Sequence, residues 1–307
     1  MSRPLVSIVT PSYEQGRFLE ETIRSVLEQD YEPIEYLVVD GGSTDGSVEI
    51  IRRYEDRLAW WVSEPDGGQP QGLNKGFARS KGELMGYLNS DDTLLPGAVS
   101  RLVAELGRDP EALVAYGDAV YVDERGSQTH YGKSKAWGVG PMARAATGTV
   151  MPSASLWRRR AWELAGPFDE SYQVWFDVLF FLDVARFGPA SYVEEPFMTY
   201  RIHPESKTAN ATRIAHTEEL MRVADEFFGG PDLPEELRPH ARDARAGYYR
   251  RAAWGYYSSG DIAGARRALL RSVPLRPRMS RKTARLLART LTPEPIVRLK
   301  HRLAPRR

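Results

Sequence analysis

There is no cysteine among the 307 residues, which excludes disulfides, thiolate metal sites and cysteine nucleophiles. Any metal would have to be held by oxygen or imidazole donors, and histidine itself is scarce, at five residues. Long apolar runs are also missing. The stretch 175–181 is among the longest, and Asp177 interrupts it far short of the roughly 20 residues that a membrane-spanning helix needs. The N-terminus passes from Met1-Ser2-Arg3-Pro4 straight into Leu5-Val6-Ser7-Ile8-Val9, too short and too strand-like for a cleavable signal peptide, so the cytoplasm is the expected compartment. Charge of neither sign dominates, the net being +1, but arginines crowd the last 70 or so residues and acids precede them. What is present, 42% apolar and 27% charged residues, suffices for one large core or for a core with a helical appendage.

The periodicity alternates. A strand over 5–10 ends at Pro11-Ser12-Tyr13, and Phe18, Leu19, Ile23, Val26 and Leu27 then fall at helical spacing over 17–28. A buried strand over 34–39 runs into Asp40-Gly41-Gly42-Ser43, with a helix over 46–54 for which Ser43, Thr44 and Asp45 are candidate N-caps. A strand over 58–62, a Gly67-Gly68, Pro70, Gly72 loop, a helix over 73–80 and a strand over 83–88 follow, the last stopping at Asn89-Ser90-Asp91-Asp92. Strands and helices in this order predict an α/β fold with a mainly parallel, doubly wound sheet whose ligands sit at the carboxyl ends of the strands. Further on, the pattern predicts a helix over 96–106, a strand over 113–122 with a hairpin turn at 123–127, helices over 157–165 and 176–185, and two strands over 190–193 and 197–202. The Gly- and Ala-rich stretch 133–152 is the candidate for a loop covering a site. Beyond Thr208 the chain reads as helices, with a break at Gly229-Gly230-Pro231 and a single tetratricopeptide-like helix pair over 248–274. The expected division is therefore 1–208 for the sheet domain and 209–307 for a basic helical region.

Adjacent carboxylates at a strand end suit a hard divalent cation such as Mg2+ or Mn2+, which completes its shell with substrate phosphates. The plain alternative is that Asp91 and Asp92 cap the helix that follows. The neighbouring blocks decide between them: Thr10-Pro11-Ser12-Tyr13, Val38-Val39-Asp40-Gly41-Gly42-Ser43-Thr44-Asp45-Gly46, Asn74-Lys75-Gly76, Asn89-Ser90-Asp91-Asp92, Gly166-Pro167-Phe168-Asp169-Glu170 and Tyr200-Arg201-Ile202-His203-Pro204. In this order they resemble the inverting family 2 glycosyltransferases of GT-A fold, the bacterial cell-surface polysaccharide type, over about two thirds of the chain.

The resemblance implies a nucleotide-sugar donor, with Pro11, Tyr13 and Asp40 at base and ribose, Asp66, Asn74 and Lys75 as further donor contacts, Asp91 near the ribose and Asp92 on a divalent metal bridging the diphosphate. It places the catalytic base at Asp177, with Asp183 as competitor and a helix cap as the plain alternative; Arg186 offers Asp183 an ordinary ion pair. His203 is a candidate metal ligand or diphosphate contact, although single histidines mostly are neither. Gly67, Gly68 and Gly72 either admit a phosphate or merely permit a turn. The sequence departs from the family pattern at Glu14, Gly41, Gln71, Gly72 and Leu179, which obscures the donor rather than the activity. The expected reaction is inverting transfer from a UDP- or dTDP-sugar to a hydroxyl of a glycan or lipid-linked acceptor, against the alternative of an inactive nucleotide-sugar-binding scaffold.

From Arg238 onward there are 19 Lys and Arg against 3 acids, interleaved with tyrosines and Trp254. Such a segment can rest on an anionic membrane surface or form a solvated face on a helical hairpin docked beside the catalytic domain. No nucleic-acid module accompanies it, and no nucleic-acid partner is expected.

Overall fold

The computed structural model describes residues 3–207 and 214–291. Part of the basic tail, 292–307, lies outside the described residues, as does the expected boundary at 208/209. The chain forms two compact units. The first runs to Gly138 and resumes at Thr147–Ser206; the second comprises Val139–Ala146 and the chain from Lys207 onward. The stretch 139–146, read from sequence as part of a loop in the first domain, contains a helix that groups with the second unit.

The first unit is built on nine strands: β1 (Val6–Ser12), β2 (Ile34–Asp40), β3 (Trp60–Ser63), β4 (Leu84–Tyr87), β5 (Thr93–Leu94), β6 (Val114–Val122), β7 (Gln128–Gly132), β8 (Ser155–Arg158) and β9 (Ala190–Arg201). They join in the order β3-β2-β1-β4-β8-β6-β9-β5, with β7 paired to β6 as a hairpin. Strands β3, β2, β1 and β4 are parallel, as are β6 and β9, while β8 runs antiparallel between β4 and β6. All seven residues of β1 and the last five of β2 are buried, which explains why these strands read as unbroken apolar runs rather than alternating ones.

Helices α1 (Gly16–Leu27), α2 (Ser47–Arg53), α3 (Gln69–Arg79) and α4 (Ala98–Arg108) connect the parallel strands. Leu19, Ile23 and Val26 of α1 and Val99, Leu102 and Leu106 of α4 pack with Ile8 and Val38 into one core. In α3, Gly76 lies so close to β1 that an added Cβ would stand 2.5 Å from Val9 Cγ1, so helix and strand meet only because the side chain is absent. A second cluster, almost wholly aromatic, packs Phe77, Trp157, Trp162, Phe168, Phe176 and Phe180 with ring centroids 4.7–6.1 Å apart. It anchors α7 (Phe176–Val184), most of whose residues are buried around its whole circumference; α6 (Arg159–Ala165) precedes it.

Three sequence expectations are corrected in this unit. Helix α3 begins at Gln69 rather than at 73, so Pro70 and Gly72, read as loop, are helical; Pro70 is tolerated because it stands in the first turn, where its missing N–H has no partner to lose. Residues 155–158 form β8 before α6 begins, so the expected helix over 157–165 starts two residues late. The two expected strands over 190–193 and 197–202 are one strand, β9, which passes through Glu194-Glu195-Pro196 by shifting register against Asp118 of β6.

The second unit is helical: α5 (Val139–Ala145), α8 (Ile214–Arg222), α9 (Arg238–Ser258), α10 (Ile262–Leu275) and α11 (Arg281–Leu291). Small residues let its helices approach, since a Cβ on Gly255 of α9 would stand 2.2 Å from Thr217 Oγ1 of α8. Asp261 caps α10 by accepting from Gly264 N at 2.7 Å. Helices α9 and α10 occupy the stretch read as a tetratricopeptide-like pair. Among the described residues no helix is long and apolar enough to cross a membrane.

Candidate active site

The parallel strands deliver their loops to one end of the sheet. Strand β4 ends in Asn89-Ser90-Asp91-Asp92, and α1 fixes this turn from the side: Thr22 Oγ1 donates to Ser90 O at 3.0 Å and to Asp92 O at 2.7 Å. Neither aspartate caps the next helix, because α4 starts at Ala98 behind a left-handed Gly97 with no side-chain cap. The capping alternative is thereby removed.

The two aspartates face different surroundings. Asp92 is buried, 2% exposed, and its carboxylate accepts from Arg201 N at 2.9 Å and Asn89 Nδ2 at 3.2 Å. Burial and the neighbouring charge of Asp91 push its pKa well up against those hydrogen bonds. Asp91 instead meets His203, Oδ2 lying 3.0 Å from Nε2. His203 is buried, and Asp91's hydrogen bond raises its pKa against that burial, with Glu205 adding to the effect. The contact exists because Arg201, at the end of β9, donates from Nε to Asp91 O at 3.0 Å and from its backbone to Asp92, locking the β9 end onto the acidic turn. The Arg201 guanidinium is stacked 4.7 Å over Phe18, paired with Glu21 at 2.7 Å, and almost wholly buried.

Asp177 lies in the first turn of α7, whose N-cap is Trp175, so it does not cap the helix. Tyr87 Oη stands 3.4 Å from Asp177 Oδ2. The Tyr87 pKa is pushed well up by burial first and then by the charge of Asp177, with Asp92 contributing. Asp183, the competing base, is ion-paired with Arg186, which lies just beyond the end of the same helix.

Around the end of β1, Gly41 and Gly72 leave room for Asp66. A Cβ on Gly41 would be 3.2 Å from Asp66 Oδ1 and 3.3 Å from Tyr13 Cδ2, and one on Gly72 3.1 Å from Asp66 Oδ2 and 3.8 Å from Pro11 Cβ. Pro11, Tyr13 and Asp66 are therefore together, with Tyr13 64% exposed. Gly41, a departure from the family pattern, is what admits the Asp66 carboxylate. Ser12 Oγ, beside them in sequence, is buried with no hydrogen-bond partner among the described residues.

Asp40 is differently employed. Fully buried, its carboxylate accepts from Ser43 N, Ser43 Oγ, Gly42 N and Ser63 Oγ at 2.6–3.1 Å, which shapes the loop after β2 and leaves little capacity for a ligand. Asn74 holds the 166–170 block: it donates to Phe168 O and Glu170 Oε1, both at 2.9 Å, and accepts from Phe168 N at 3.0 Å. Lys75 pairs with Glu64 at 2.7 Å. Gly68 has φ +107 at the start of α3, where the turn requires a glycine.

Among the described residues no group of three or more His, Asp or Glu converges as a metal cage. The Asp91–His203 pair still suits a cation that takes two protein ligands and fills its shell with phosphate oxygens and water. Sequence reasoning singled out both residues but not what unites them. Arg201 and Glu205 lay within or beside a recognised block, and Arg17 had no signal at all.

Fold and site together define a GT-A-like α/β protein with its candidate site residues at the strand ends. The family model described as glycosyl transferase family 2 matches residues 7–168, and the chain belongs to that family. An uncharacterized glycosyltransferase of Rickettsia felis is 29% identical over 247 residues, covering 76% of this chain and 39% of that protein, so the chain spans about two fifths of that relative. The structure of S. aureus TarS 1–349 in complex with UDP-GlcNAc superposes with a TM-score of 0.60 at 16% identity, covering 86% of this chain and 90% of that one. The mannosyltransferase PcManGT from Pyrobaculum calidifontis, in complex with GDP-Man and Mn2+, gives 0.61 at 20% identity, covering 94% and 79%. At these identities the two structures establish a shared fold.

Proposed function

We propose that the chain catalyses inverting, metal-assisted transfer of a sugar from a UDP- or dTDP-sugar to a hydroxyl of a glycan or lipid-linked acceptor in the cytoplasm, as a step of polysaccharide biosynthesis. The observation that carries this reading is the end of β4, where Tyr87 stands 3.4 Å from the Asp177 carboxylate and the turn that follows holds Asp91 against His203 at 3.0 Å. The two structural neighbours hold UDP-GlcNAc and GDP-Man, which supports a nucleotide sugar as the donor.

Pro11, Tyr13 and Asp66 would take the base, whose ring N–H the carboxylate can accept, with Ser12 beside them. Asp91 and His203 would hold Mn2+ or Mg2+, which when bound would stabilise the negative charge of the departing diphosphate. Geometry favours Asp91 over Asp92 as the ligand. Asp92 is buried and committed to Arg201 and Asn89, and it serves by shaping the turn. Asp40 and Asn74 would likewise act through the loops they hold, and Lys75 through charge near the donor. Asp177 would take the acceptor's proton as the hydroxyl attacks the anomeric carbon from the face opposite the nucleotide.

The test is a transfer assay with UDP- and dTDP-sugars in which Asp177→Asn is compared with wild type. Retained donor binding with turnover lowered about 10²–10⁴-fold supports the base assignment. Nucleotide binding without turnover in the wild type itself would turn the reading to a non-catalytic nucleotide-sugar-binding protein.

A second proposal concerns the helical unit. Arg281, Lys282, Arg285 and Arg289 of α11 are exposed, beside Leu291 at 61% exposure, and this supports contact with an anionic membrane surface.

A further inference from the structure

We propose that Gln71 and Gln173, joined at Glu170, form a clasp on Gly67 that positions Asp66 for the nucleotide base, a role that rests on the base-binding reading above. Asp66 stands in the loop before α3, and its Oδ1 accepts from Gly68 N at 2.8 Å. That bond aims the carboxylate only as well as the Gly67-Gly68 backbone is itself held. Glycine is the residue whose backbone is least restricted, so the shape of this pair must be imposed from outside.

Two glutamines impose it. Gly67 N donates to Gln71 Oε1 at 2.7 Å, and Gly67 O accepts from Gln173 Nε2 at 3.1 Å, so both polar groups of one residue are gripped. Gly68, with φ +107, leaves the space that the second glutamine uses, since a Cβ there would stand 2.2 Å from Gln173 Oε1. The two side chains meet at Glu170: Gln71 Nε2 donates to its Oε2 at 3.0 Å, and Gln173 Nε2 donates to its backbone O at 3.1 Å. The loop is thereby tied to the 166–170 block through side chains alone.

An amide at 71 is what this arrangement needs. A carboxylate there could accept from Gly67 N but could not donate to Glu170, whereas an amide does both. Gln71 is also a departure from the family pattern, as are Gly41 and Gly72, whose missing side chains make room for the Asp66 carboxylate. Three departures therefore act on this one loop. The 166–170 block is held separately by Asn74, which bonds Phe168 N and O, so opening the clasp should loosen Asp66 without releasing α7. In a transfer assay the donor KM should rise while kcat is kept.

The experiment titrates the full chain with UDP and with dTDP in the presence of Mn2+, and follows hydrogen exchange at the Gly67 amide by NMR without nucleotide. Gln71→Ala is expected to weaken nucleotide binding about 3–10-fold and to speed exchange at Gly67. Gln71→Glu, which sets a carboxylate against Glu170, should lose at least as much. Adding Glu170→Gln to it reverses that bond and keeps the others, because the new amide still offers an oxygen to Asn74 Nδ2. This pair should return to within about twofold of wild type in affinity and should slow the exchange again. Adding Asp169→Asn instead removes the same charge one residue away and should recover neither. Thermal melts check that each variant is folded. No recovery with Glu170→Gln, equal recovery with Asp169→Asn, or a fall in kcat without a rise in KM would overturn the inference. A wild type that binds neither nucleotide would instead overturn the base-binding reading, and this inference with it.

Discussion

Asp91 and Asp92 are neighbours with opposite surroundings, and substitution separates them. Asp91→Ala should abolish detectable Mn2+ binding. Asp92→Asn keeps an oxygen for Arg201 N but turns an amide nitrogen toward the Asn89 donor, so it should retain most Mn2+ affinity and lose stability through that contact; titration calorimetry and thermal melts read the two effects. Asn74→Ala removes a side chain that makes three hydrogen bonds to the 166–170 block and should cost about 1–3 kcal/mol in urea unfolding, with turnover falling as the block before α7 loosens. Site residues were legible in the sequence as acids and amides in ordered blocks. Their duties were not, because the donors that occupy Asp40 come partly from Ser63, 23 residues away, and those on Asp92 from Arg201, 109 residues away. Which carboxylate is spent on structure and which is left for a ligand is decided by such long-range partners.

At the scale of elements, α3 and β1 meet closely beside the site. Gly76→Ala forces a methyl into Val9 and should destabilise by about 1–3 kcal/mol, read as a lowered urea midpoint, with weaker nucleotide binding as Pro11 and Tyr13 shift. Helices α1, α2 and α4 and strands β1, β2 and β4 were readable because apolar periodicity and turn residues agree there, whereas the first turn of α3 was hidden by Pro70 and Gly72. Strand β8 was hidden because its four residues run directly into α6. Strand β9 was split by two acids and a proline, which the fold tolerates because Glu194 and Glu195 are exposed and the register shifts beside Pro196. Strand β5, two residues long, gives no periodic signal at all, yet it pairs Thr93 with Thr199 and helps place the acidic turn against β9.

On the scale of the whole molecule, the near-neutral total charge conceals a helical unit with an exposed basic face. The membrane proposal predicts that the protein co-sediments with vesicles containing anionic phosphatidylglycerol, that it releases as salt rises, and that Arg281, Lys282, Arg285 and Arg289 changed together to Ser weaken the association while turnover on a water-soluble acceptor is kept. Equal binding to neutral vesicles would contradict it. A separate helical unit was foreshadowed by charge asymmetry, but the assignment of 139–146 to it was not, since a seven-residue helix in a Gly- and Ala-rich stretch looks like loop until its partners are known.

The central claim, a nucleotide-sugar site completed by a divalent cation, is tested most directly by calorimetric titration of UDP, dTDP, GDP and CDP, each with and without Mn2+. The account predicts binding of UDP or dTDP that is strengthened at least tenfold by Mn2+ and loses that gain in Asp91→Ala. No binding of any nucleotide, or binding indifferent to Mn2+ and to Asp91, would contradict it.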